Sequence, residues 1–128
     1  MPSTTMPAIG FTLSCPNATT LVTVGDPTYG ADAVYPPDNC HTIVIYNLDE
    51  VNRVFVRFGL KSQVTVGNTT LSSSTVLPAL GSMTFQIGHV VERGFMAVVS
   101  DLGLFLLPEA GGPVLVNITY LMGSGRTT

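Results

Sequence analysis

Along most of its length this chain alternates apolar and polar side chains with a period of two. In "SMTFQI" Met83, Phe85 and Ile87 fall on one face, and Ser82, Thr84 and Gln86 on the other. "VLVNITYL" does the same with Val114, Val116, Ile118 and Tyr120. Successive side chains of a β-strand point to opposite faces, so this spacing buries one side of a sheet and wets the other. Residues 9–13, 21–24, 43–47, 54–59 and 62–66 ("SQVTV") carry the same signal. Residues 95–99 and 104–107 are apolar on both sides, as in central or interface strands. Turn chemistry punctuates the runs: Gly67-Asn68, residues 77–81, and the stretch from Pro108 to Pro113 with two glycines. No window shows a 3.6-residue period with caps. The spacing predicts an all-β fold, an antiparallel β-sandwich or jelly-roll-like barrel of about 8–10 short strands.

At 128 residues the chain is long enough for one core and too short for two. Residues 9–122 are expected to form a single β-domain, preceded by an extended arm, residues 1–8, and followed by a flexible tail, 123–128. One segment breaks the rhythm. Residues 25–39, "GDPTYGADAVYPPDN", make a long loop with three Asp, three Pro and two Tyr. Loops of that length are commonly functional, and the aromatics predict ordered contact.

The surface is the difficulty. Only 10% of residues are charged, 45% are apolar, Lys occurs once, and the mean hydropathy is +0.43. A small soluble monomer normally carries far more Lys and Glu. No apolar run reaches the ~18 residues of a membrane span, so no membrane is expected. The composition predicts a domain covered by copies of itself or by a partner, and therefore a stable homo-oligomer. A formal charge of −3 without a basic patch argues against nucleic acid. "MPSTTMPAIG" lacks the basic and apolar regions of a signal peptide, so synthesis in a cytoplasm is expected. Asn17, Asn68 and Asn117 lie in N-x-Thr sequons, which a Thr-rich chain produces by chance.

Chemistry finds little purchase. A nucleophile needs a base, and the histidines are His41, at a strand start, and His89, in a turn. No G-x-S-x-G, H-E-x-x-H, P-loop or G-x-G-x-x-G occurs. Asp49-Glu50 are adjacent in a turn, and Asp26, Asp32 and Asp38 match no EF-hand spacing. The expectation is no enzyme, no cofactor and no metal. Cys15 and Cys40 lie at predicted strand ends that could sit side by side. They are either two small buried apolar side chains or a disulfide formed after release from a cell.

"IVIYNLDEVNRVFVRFG", residues 43–59, reads as two strands joined by a polar turn. Its second strand places Val54, Val56 and Phe58 on one face and Arg53, Phe55 and Arg57 on the other. Those three are either an interface stripe of Arg and aromatic anchors or arginines that merely solvate an exposed face. This hairpin is followed by "Leu-Pro-x-x-Gly-Ser" at residues 77–82, the alternating strand 83–87, and a closing strand that ends in Gly-x-Gly. In that order the segments resemble a type of small tailed-bacteriophage structural protein, the capsid decoration or cement proteins. The resemblance spans residues 40–125, about two thirds of the chain. It implies a virion protein on the outer capsid surface, made in the host cytoplasm, often a trimer, that locks the major capsid protein into the assembled head. The arm and the 25–39 loop would then make the capsid contact. A tail, adaptor or fibre-tip protein shares these features. A carbohydrate-binding β-sandwich would instead use Tyr29 and Tyr35 as stacking platforms.

Overall fold

The computed structural model describes residues 8–69, 74–87, 96 and 98–122. The strands are β1 Ala8–Cys15, β2 Val22–Thr23, β3 Cys40–Asn47, β4 Val54–Leu60, β5 Thr75–Leu77, β6 Ser82–Gln86, β7 Leu102–Pro108 and β8 Val114–Met122, and β1, β3, β6 and β8 fall where alternation is strongest. They build two four-stranded sheets, in the orders β1-β8-β3-β6 and β2-β7-β4-β5. Every pairing is antiparallel. β1 pairs with β8, β2 with β7, β3 with β6 and β4 with β5. The chain is thus a long antiparallel ribbon, folded back between β4 and β5 and wrapped into two layers. That is the strand order of a jelly roll, and the two sheets stay open as a sandwich and do not close into a barrel.

The inward positions are those the alternation names. Leu13, Ile43, Ile45, Val116, Ile118 and Tyr120 from the first sheet are fully buried, against Val22, Val54, Val56, Leu104 and Leu106 from the second. Aromatic rings lock the interior. Phe11 meets Tyr120 edge to face at 5.4 Å, and Phe58 of β4 reaches Phe85 of β6 across the layers at 5.0 Å. The outward Ser82, Thr84 and Gln86 of β6 are exposed, as expected.

Several expectations need correction. β3 and β4 lie in different sheets, so the segment between them is an arch across the sandwich and not a hairpin. Residues 62–66 form turns over the second sheet, because Gln63 and Val64 both donate backbone N–H groups to Leu60 C=O. Val98 and Val99 lie in a turn and are exposed. β5, a three-residue strand, is too short to show an alternation. Cys15 and Cys40 are free and buried, and lie far apart: Cys15 pairs with Val114 and Cys40 with Met122, at opposite ends of β8. Eight residues at ~3.3 Å each put them roughly 26 Å apart, where a disulfide needs Cα atoms within about 7 Å. Residues 1–7 of the arm, the tail, His89, Phe95 and Ala97 lie outside the described residues.

Connections gather at two ends. Residues 16–21, 48–53, 78–81 and 109–113 share one; residues 24–39 and the described parts of 61–74 and 87–101 share the other.

Candidate interaction surface

Strand parity directs Arg53, Phe55 and Arg57 to the outside of the second sheet, with Phe105 and Leu107 opposite them on β7. This outer face is not open. Phe55, Phe105 and Leu107 are at most 8% exposed, yet they belong to no part of the core between the sheets. Residues 61–69 fold back over the Arg57–Gly59 part of this face. Val64 sits above Gly59, where a Cβ would lie 3.1 Å from its Cγ2, and the Phe105 ring closes over Gly103. Arg57 donates through Nη1 to the Asn68 carbonyl, and Thr69 is buried with its hydroxyl on Thr65 C=O at 2.7 Å. Arg53 instead pairs with Glu109, Nε to Oε1 at 2.6 Å, while its backbone N–H donates to the same oxygen at 2.8 Å. Those hydrogen bonds hold the Glu109 carboxyl below the usual range. The expected stripe is therefore divided: Arg57 fastens a cover, Phe55 is buried, and Arg53 clamps β4 to the end of β7.

The outer face of the first sheet is different. Register places Thr12, Asn117, Tyr46 and Ser82 in one row across the four strands. The adjoining row is Gly10, Thr119, Val44 and Thr84. Thr12, Tyr46, Ser82 and Thr84 are exposed, and Tyr46 retains 43% of its surface. None of the five Lys/Arg or eight Asp/Glu side chains lies on β1, β3, β6 or β8.

At the first end this face runs into an apolar tip. Leu48, Val51, Leu80 and Leu115 are all exposed, Val51 by 80%. Two elements singled out in the sequence build it together. Asn47, fully buried, donates from Nδ2 to the carbonyls of Asn52 (2.8 Å) and Pro78 (3.1 Å), and its Oδ1 accepts from the Asp49 N–H. It thereby staples the β3–β4 arch to the 78–81 turn, reinforced by Asn47 N–H to Gly81 C=O and Leu80 N–H to Asp49 C=O. The Asp49 carboxylate accepts from Asn52 and Val51 N–H groups, which hold its carboxyl low. The turn itself closes with Gly81 N–H on Pro78 C=O at 2.9 Å and places Leu80 at φ 57°. Left-handed backbone costs a branched residue ~1 kcal/mol or more, and turns there take Gly or Asn. An exposed leucine held in that conformation is strain retained at a surface.

The 25–39 loop turns inward. Asp26 caps a short 3-10 turn, Pro27–Tyr29. Gly30 passes so close to β1 that a Cβ would lie 2.5 Å from Thr12 O. Ala33 is buried, and the Tyr120 hydroxyl donates to Val34 C=O at 2.7 Å. Tyr29 packs against the core and Tyr35 lies under Lys61, whose Nζ is 5.8 Å from the ring centroid. The loop is thus ordered against the chain's own sandwich, with Tyr29 and Tyr35 both half-buried. His41 places Nδ1 2.7 Å from Thr42 Oγ1. Among the described residues no three His, Cys, Asp or Glu side chains gather closely enough to hold a metal ion.

Set against known proteins, the chain matches no family model, no curated protein and no solved structure. Its class is the one its own topology defines, a β-sandwich whose eight strands among the described residues follow jelly-roll order. Sequence reasoning missed the tip. The available signal was Leu80 in a turn position that ordinarily takes glycine, together with Leu48 and Val51 inside a polar arch.

Proposed function

We propose that this protein is a virion structural component that binds the outside of a tailed-bacteriophage capsid as a homo-oligomer and stabilises the assembled head. The observation that carries this reading is the tip: a strained, exposed Leu80 beside exposed Leu48, Val51 and Leu115, on a scaffold stapled by Asn47. Strain and exposed apolar area both cost stability, and adhesion to a partner is the use that offsets them. The tip joins "Ile/Val strand, Asn, turn" to "Leu-Pro-x-x-Gly-Ser", the pieces on which the resemblance to decoration proteins rests. The jelly-roll architecture, which recurs in viral shell proteins, is compatible with it, although fold alone does not assign function. The tip contacts the major capsid protein, and many copies per particle make a modest contact effective.

Particles lacking the protein, incubated with purified wild type, Leu80→Gly or Val51→Asp, test this reading. Wild type should bind the heads and delay heat release of DNA. Leu80→Gly should be the more stable fold, by about 1 kcal/mol, and the weaker binder. Binding to tails and not heads, or equal head binding by all three proteins, would refute it.

A further inference from the structure

We infer that the uncharged outer face of β1-β8-β3-β6 is a self-association surface, and that its occupant is the same face of a second copy. This rests on the oligomer in the functional reading but not on the capsid. A solvent-facing sheet normally carries charge on its outward positions; this one carries none, while Tyr46, Thr84 and Thr12 stand exposed on it. The other sheet shows what removes that requirement in this molecule, since there the chain's own residues 61–69 provide a cover.

Charge selects the occupant. The chain carries a net −3, with its described charged side chains placed in loops and on β4. Two copies that meet on this face bring no charged strand side chain into the contact, so the net −3 of each adds no like-charge pair there. Hydrogen bonding agrees, because hydroxyl and amide groups both donate and accept, so rows of Thr, Ser and Asn can satisfy an identical face. Four strands at ~4.8 Å, of five to nine residues at ~3.3 Å each, give a projected patch on the order of 500 Å². The accessible surface of a side-chain-covered patch exceeds its projection, which brings it toward the ~800 Å² per partner of a stable interface. A face packed on its own copy is isologous, and makes a dimer instead of the trimer that the resemblance implies.

Sedimentation equilibrium of the full chain at micromolar concentration tests the inference. Wild type should show twice the 13.5 kDa chain mass. Thr119→Arg should weaken association about 100-fold or more by burying like charges against each other, with circular dichroism and melting of the monomer preserved. Val44→Lys, on the neighbouring strand of the same row, repeats the test should the first variant fold poorly. A wild-type monomer, a wild-type trimer, or a dimer that survives both substitutions would overturn it. A wild-type dimer that fails to bind heads would count against the capsid reading alone.

Discussion

The two outer faces of this sandwich begin from nearly the same poverty of charge and end differently. On the second sheet β4 and β7 turn Phe55, Phe105 and Leu107 outward, and all three are buried within the chain, with residues 61–69 lying over Arg57 and Gly59. On the first sheet β1, β8, β3 and β6 turn small hydroxyls, Val44 and Tyr46 outward, and Tyr46 stays exposed. One face needs no charge because its own chain excludes water. The other has the composition of an interface, uncharged and studded with small polar groups and one aromatic, which leaves a partner to cover it. The difference shows that "outward" in a strand pattern is not the same as "solvent-facing": what lies over the sheet decides.

The largest effect separating the faces should come from Phe105→Ala. It removes a buried ring from the outer side of the second sheet and should cost about 4 kcal/mol in urea unfolding. A loss below about 1 kcal/mol would mean that this side is not packed.

The space between the sheets provides a second contrast, read by pH. Burial pushes the Cys15 thiol up to about 12, against 9.0 when unfolded. Burial also raises Tyr120, with charge on Cys40 and Tyr35 adding to the shift. Between pH 9 and 12 the unfolded chain releases the Cys15 proton and the folded chain keeps it. Stability present below pH 9 is therefore lost as pH rises, by about 1.4 kcal/mol per pH unit for this group. Cys15→Ala should reduce the alkaline slope of the unfolding free energy by that amount; an unchanged slope would contradict the thiol's burial.

The smallest effect belongs to the bare face. Thr84→Ala should change monomer stability by less than about 0.5 kcal/mol, since in the monomer its side chain is exposed. A large loss would mean that this face is already covered within one chain.

The legibility of these features in the sequence follows from their physics. Strand alternation is a local property, so β3, β4, β6 and β8 and their inward residues could be read directly. Partner choice between strands is not local. Nothing in "NLDEVNR" separates a hairpin from an arch, which is decided by β8 taking the place beside β3. The same limit hid the distance between Cys15 and Cys40, whose separation is set by their register on β8. Phe55 had the parity of an exposed residue, and is nevertheless buried on the outer side of its sheet. Tyr29 and Tyr35 were legible as ordered aromatics, but Lys61, above Tyr35, comes from the far side of β4 in sequence. The tip was hidden for another reason: it is assembled by Asn47, which reaches Pro78 in a turn 31 residues further along the sequence.

Hydroxyl-radical footprinting across a concentration series compares the two faces most directly, because Tyr46 marks one and Phe55 and Phe105 mark the other. Tyr46 should be modified readily in dilute solution and become protected as copies associate, while Phe55 and Phe105 stay protected throughout. Equal modification of Tyr46 at every concentration, or ready modification of Phe105 in the native protein, would contradict it.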